Sequence, residues 1–216
     1  MNLLDLFKNK KKIKLPDRDI NEIKQLSKIL FIDDKSFPVI DILKDASWVN
    51  TKRIKDAESL DQMEIKEAHI LFVDIQGIGK KLKFKDEGLG LVIALKEKYP
   101  NKKVIVYSAE DQGQVQAFHK GIDIADNRLS KLADPYQFQV LVEKYSKEAF
   151  SLSECVERIK DLIKKEFGSL KSSEEIIIQL NRIYKEKNYT IENISKVFNL
   201  QNAANVASII QLFLKP

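Results

Sequence analysis

Lys28-Ile29-Leu30-Phe31-Ile32-Asp33-Asp34, Ile70-Leu71-Phe72-Val73-Asp74 and Val104-Ile105-Val106-Tyr107-Ser108 share one pattern. Each is a short apolar run, rich in β-branched or aromatic residues, without period-2 alternation and closed by a polar residue. Strands buried on both faces of a parallel sheet read this way, because neither side of the strand meets water. Residues 48–54 and 122–125 are weaker strand candidates. Helical patterns fall between them at about 38–46, 59–67, 87–98, 112–120 and 134–147. Strand and helix alternate five times over 28–148, which predicts an α/β fold, a doubly wound five-stranded parallel sheet.

On either side the pattern changes. Residues 1–27 form a polar, basic leader; through residue 28 it carries eight Lys or Arg against four Asp or Glu, most of the chain's net charge of +5. Such an arm touches nucleic acid or anionic lipid in some proteins and is a solvated leader in more. Residues 149–216 contain no convincing strand. Ser151 with Glu154, and Ser172 with Glu175, have capping-box spacing, and Thr190 precedes another apolar stripe. About four helices are expected there, as a small all-α domain.

Composition narrows the chemistry. With 44% apolar and 32% charged residues, the chain reads as a soluble globular protein of one or two domains. No stretch approaches a membrane span, and the apolar residues 3–7 are too short for a signal peptide. The lone Cys155 precludes an internal disulfide and fits a reducing cytoplasm. One cysteine and two histidines do not build an ordinary zinc site. His69 and His119 have no catalytic companion in the pattern, so structural roles are expected. A resident metal would have oxygen ligands, which points to magnesium or calcium.

The chemistry-bearing residues stand at strand ends. In a parallel sheet those ends gather on one edge, where open α/β sheets bind ligands. Here that edge collects Asp33 and Asp34 after the first strand, Asp74 after the third, Ser108 after the fourth and Lys131 after the fifth. Three converging carboxylates repel one another unless a cation lies among them. A hard divalent ion suits them, and with it in place a carboxylate oxygen can attack phosphorus. A hydroxyl and an ammonium on flanking strands would hold the transferred phosphoryl oxygens.

At these residues the chain resembles a response-regulator receiver domain of two-component signalling. That family has an acidic pair after strand one, a phospho-accepting Asp after strand three, Thr or Ser after strand four and Lys after strand five. Here 40 residues separate Asp34 from Asp74, 34 separate Asp74 from Ser108, and 23 separate Ser108 from Lys131, close to the family's usual spacing. The resemblance covers about 28–148 and implies a flavodoxin-like strand order of 2-1-3-4-5. It implies Asp74 as phosphoryl acceptor, with Ser108 and Lys131 assisting. Mg2+ would be held by Asp33, Asp34, Asp74 and the backbone carbonyl of Gln76. The implied partner is a sensor histidine kinase or phosphotransfer protein, with self-phosphorylation from small donors and autodephosphorylation as the accompanying activities.

Three features depart from the family. Residues 76–88 form a long loop with Gly77, Gly79 and the basic Lys80, Lys81, Lys83 and Lys85, and the Gly-Leu start of the next helix comes late, at Gly88-Leu89. The position three before Lys131, an aromatic switch in the family, is Arg128. Lys131 is followed by Leu132, so the family's cis-proline turn is missing. These departures allow a second reading, a degenerate receiver serving as a binding scaffold. Residues 189–214 loosely resemble a helix-turn-helix, which allows a third, a DNA-binding regulator. The second helix of that pair, 203–214, has no Lys or Arg and is mostly apolar, which suits burial against a protein partner, a second copy or the receiver domain itself and disfavours DNA.

Overall fold

Five strands form one all-parallel sheet in the order β2-β1-β3-β4-β5: β1 Ile29–Ile32, β2 Thr51–Ile54, β3 Ile70–Asp74, β4 Lys103–Ser108 and β5 Asn127–Ser130. The structure, a computed structural model, describes residues 18–109 and 119–214. Helices α1 Ile20–Leu26, α2 Val39–Asp45, α3 Met63–Glu67, α4 Glu87–Lys98, α5 Lys120–Asp123 and α6 Pro135–Ala149 accompany the sheet. Together they make a unit spanning Asp19–Ala149. Helix α1 thus belongs to the sheet unit although its sequence lies within the basic leader. The rest of that leader, 1–17, lies outside the described residues, as does most of the helix expected at 112–120.

The central strands are buried except at Lys103, the first residue of β4, as their unbroken apolar runs require. Alternate residues serve two different cores. On one face Leu30, Ile32, Leu71, Val73, Val104 and Val106 pack with Ile65 of α3 and Leu89, Val92 and Leu95 of α4. On the other the core is aromatic. Phe31 stacks on Phe72 with centroids 4.5 Å apart, Tyr107 meets both edge-on, and Phe37 and Phe138 close the cluster. Offset and edge-to-face contacts of this kind favour one fixed arrangement of the rings.

The fifth strand is where expectation and structure part. Residues 122–125 are not a strand: they span the end of the short helix α5 and the turn after it. Ile122, Ile124 and Ala125 still pack on the aliphatic core, which explains their apolar character. The true β5, Asn-Arg-Leu-Ser, is an edge strand paired only with β4 and half-buried throughout. An edge strand need not be apolar, so its composition carries no strand signal. The helix expected at 59–67 also shortens to α3, preceded by turns.

The second unit comprises 150–214 with Arg18. Its helices are α7 Leu152–Phe167, α8 Ser173–Glu186, α9 Ile191–Phe198 and α10 Ala204–Leu214. Each of the first three starts on an expected cap: Ser151, Ser172 and Thr190 accept from the backbone N–H three residues on. The reciprocal box is closed at Ser172, where Glu175 returns to the cap N–H. At Ser151, Glu154 instead accepts from Arg158 at 2.8 Å. Cys155, Ile159 and Ile163 of α7, Ile176, Leu180 and Ile183 of α8, and Ile194 and Phe198 of α9 are all buried, with α7 packed on α8 and α8 on α9. Helix α10 packs on α7 and α9, with Val206, Ala207 and Ile210 buried. Those side chains are therefore already covered, and they carry no argument for a partner.

Candidate functional site

The strand order turns back between β1 and β3: the chain leaves β1 toward β2 on one side and leaves β3 toward β4 on the other. The connections diverge above these two strands and leave a crevice at their C-terminal ends. Asp33, Asp34 and Asp74 stand at that crevice. Each offers a carboxylate oxygen, and these oxygens lie within 4.8 Å of one another. Asp33 is 1% exposed and Asp74 5%, whereas Asp34 faces solvent.

Register explains the convergence. Ile32 is paired with Val73 and Asp74 with Tyr107, so Asp33, Asp74 and Tyr107 follow one another in a single row across three strands. Two residues earlier the same face carries Phe31 and Phe72. The acidic row is thus the polar rim of the aromatic core.

Lys131, in the turn immediately after β5, joins this row. Its ammonium donates to Asp74 Oδ2 at 2.6 Å and lies 2.8 Å from Asp33 Oδ2. Its backbone N–H donates to the Ser108 carbonyl at 2.7 Å, which fixes the turn against the end of β4. Ser108 is itself buried and paired in register with Ser130. Gln76, two residues past Asp74, is exposed.

The two buried carboxylates are tuned in opposite directions. Burial alone would raise Asp33, but hydrogen bonds from Lys131, the Lys35 N–H and the Tyr107 hydroxyl hold its carboxyl below the usual carboxylate range. Asp74 is held above it: burial dominates, the neighbouring Asp33 charge adds to it, and Lys131 only partly offsets both. Lys131 is raised despite its own burial, because both carboxylates favour the ammonium. One ammonium among three carboxylates leaves an excess of negative charge. An all-oxygen donor set with that excess fits a hard divalent cation such as Mg2+.

Two backbone features support the site. A Cβ on Gly88 would lie 1.8 Å from the Asp74 carbonyl oxygen, so only glycine lets the first turn of α4 press against the end of β3. Gly77 has φ +79°, and a Cβ there would lie 3.2 Å from Asp34 Oδ2, so the loop after β3 comes down beside the acidic pair. That loop is tied in place. Gly77 N–H donates to Glu87 Oε2 at 2.6 Å, and the N–H groups of Gly79 and Lys81 donate to the Asp56 carboxylate at 2.6 and 3.1 Å. Lys80 pairs with Glu87 and Lys81 with Glu58. These pairs offset part of the positive charge that the loop carries beside Asp74.

The sequence reading did not single out Tyr107, Asp56 or Glu87. For Tyr107 a signal was present: a phenol inside an otherwise aliphatic strand needs a hydrogen-bond partner when buried. Its hydroxyl donates to Asp33 Oδ2 at 2.7 Å. His69 and His119 are structural. His69 Nδ1 accepts the Lys28 N–H and His119 Nδ1 accepts the Gly121 N–H, each at 3.0 Å.

Residues 19–149 have a flavodoxin-like fold. The order β2-β1-β3-β4-β5, parallel throughout, is the one expected for it. Solved structures similar to the chain include NtrX from Brucella abortus in complex with ADP, at 20% identity, TM-score 0.47, covering 74% of this chain and 34% of that one. Another is the response regulator TrrA from Thermotoga maritima in complex with Mg2+ and BeF, at 17% identity, TM-score 0.43, covering 55% and 98%. A third is RcsB from Salmonella enterica serovar Typhimurium bound to a promoter, at 18% identity, TM-score 0.46, covering 87% and 88%. The matched part of NtrX is thus about a third of that protein. No protein-family model matches the sequence. No curated protein matches it either. Among the described residues no helix is long and apolar enough to cross a membrane.

Proposed function

We propose that this chain is a response regulator whose receiver unit accepts a phosphoryl group on Asp74, with Mg2+, from a sensor histidine kinase or a phosphotransfer protein. The observation that carries this reading is the Lys131 ammonium shared between Asp74 and Asp33, at 2.6 and 2.8 Å, beside the third carboxylate of Asp34. A cluster with one member raised and one lowered in acidity by its surroundings is the kind of place where proton and phosphoryl chemistry is done.

In this reading an Asp74 carboxylate oxygen attacks the phosphorus of the donor phosphohistidine. The P–N bond breaks as the new P–O bond forms, and its electron pair returns to the imidazole nitrogen of the donor. Asp33, Asp34, Asp74 and the Gln76 carbonyl would hold Mg2+, which when bound supplies positive charge against the acidic cluster and the phosphoryl oxygens. Lys131 already lies on Asp74, so it needs only a short swing to pair with a phosphoryl oxygen. The Ser108 hydroxyl, at the end of the neighbouring strand, would donate to another. The signal would leave through protein contacts rather than DNA, because α10 contributes no Lys or Arg for phosphate contacts.

The full chain incubated with acetyl phosphate and Mg2+ is expected to gain one phosphoryl group by intact-protein mass spectrometry. Chelation with EDTA and the substitution Asp74→Ala should each abolish the gain. An unchanged mass with acetyl phosphate and with a phosphorylated histidine donor, both under Mg2+, would overturn the proposal.

A further inference from the structure

We infer that Tyr107 is a positioning residue of the cation site, its hydroxyl holding the Asp33 carboxylate that a divalent ion meets. The inference rests on the reading of the acidic cluster given above and adds a group to it.

Asp33 is almost fully enclosed, and among the described residues three donors reach its carboxylate. Lys35 N–H donates to Oδ1 at 2.9 Å. Oδ2 receives the Tyr107 hydroxyl at 2.7 Å and lies 2.8 Å from the Lys131 ammonium. A carboxylate offers about four acceptor positions, so one remains open, and it lies on Oδ1. An incoming cation, or a water it carries, would use that position.

The two donors on Oδ2 differ in kind. Lys131 is shared with Asp74 and positively charged, so a dication entering the cluster repels it and a phosphoryl group on Asp74 draws it away. Tyr107 is neutral and cannot leave. Its ring is fully buried and is held between Phe31, Phe72, Phe37 and Phe138. The Lys131 ammonium lies 5.0 Å from the centroid of the same ring, so one side chain supports the resting position of both partners. Without the hydroxyl, displacement of Lys131 would strip Oδ2 of every donor shown here, in a place that water barely reaches. A buried carboxylate oxygen left unpartnered is costly, and that cost would appear as weaker cation binding. Among the described residues Tyr107 is the aromatic side chain that hydrogen-bonds to the acidic row. Register puts it there directly, since it is paired with Asp74.

The test is calorimetric titration of MgCl2 into the full chain, wild type and Tyr107→Phe, with thermal unfolding of both in EDTA. Loss of a group that orients a metal ligand typically weakens affinity by about 10–100-fold. The variant is expected to bind Mg2+ at least about tenfold more weakly while keeping the wild-type fold. Equal affinities would overturn the inference alone. A wild type that binds no Mg2+ would overturn the reading of the site and this inference with it. Should Tyr107→Phe not fold, 3-fluorotyrosine placed only at position 107 gives a second measurement. Its fluorine NMR signal is expected to shift on Mg2+ addition, and an unmoved signal in a protein that binds Mg2+ would overturn the inference.

Discussion

The sheet unit and the C-terminal unit solve the problem of burial in opposite ways. In 150–214 the described core is apolar, and the polar groups go to helix ends, where Ser151, Ser172 and Thr190 satisfy backbone N–H groups that have no partner within the helix. In 19–149 two carboxylates, a lysine and a tyrosine are drawn into the rim of the core and must satisfy one another. The first arrangement spends its polar groups on stability. The second keeps like charges close together, a condition that lowers stability unless something binds there. That difference is why the proposed chemistry is assigned to the sheet unit.

The largest expected effect lies in the C-terminal unit. Ile159→Ala removes a fully buried side chain from the centre of α7 and should cost about 2–5 kcal/mol, read as a lower urea midpoint. Mg2+ affinity should be unchanged. Loss of Mg2+ binding in a folded Ile159→Ala protein would break the division of labour between the two units.

An intermediate effect should separate the two buried aspartates. Asp33→Asn places an amide among three donors and should destabilise the metal-free protein by about 1–3 kcal/mol at neutral pH. Asp74→Asn removes a charge that burial and Asp33 both disfavour, so it should cost less or stabilise. The pH dependence follows from the two directions. The folded-state pKa of Asp33 is lowered, so its stabilisation is present above its unfolded pKa and lost as pH falls through its folded pKa. Asp74 is raised, so its penalty is full above its folded pKa and disappears as pH falls below its unfolded one. Unfolding curves in EDTA should therefore show Asp33→Asn with less acid sensitivity than wild type, and Asp74→Asn with more. Identical pH profiles for the two variants would show that the cluster does not tune its members separately.

The smallest effect sharpens the other side. Ser172→Ala breaks the reciprocal cap of α8 and should cost about 1 kcal/mol in thermal unfolding. No change would mean that water replaces the cap.

Much of the sheet unit was legible because its central strands are covered on both faces. Unbroken apolar runs located β1, β3 and β4, and their polar ends located Asp33, Asp34 and Asp74. The edge strand β5 was not legible, because half-burial places no demand on composition. The loop at 76–88 was legible as long and glycine-bearing. Its anchoring was not, since Asp56 and Glu87 lie far from Gly79 and Gly77 in the chain and nothing local marks them as acceptors. Tyr107 was legible as a strand residue only; that its hydroxyl reaches Asp33 depends on register across three strands.

By itself the sequence determined the strand and helix alternation, the caps of the C-terminal helices and the set of acidic residues at strand ends, because these depend on burial and backbone chemistry that act over a few residues. Only the tertiary structure decided which carboxylate is buried, which donors it receives and where Lys131 rests. Those outcomes depend on distances of a few ångströms between strands far apart in the chain, and electrostatic and hydrogen-bond energies change steeply over such distances.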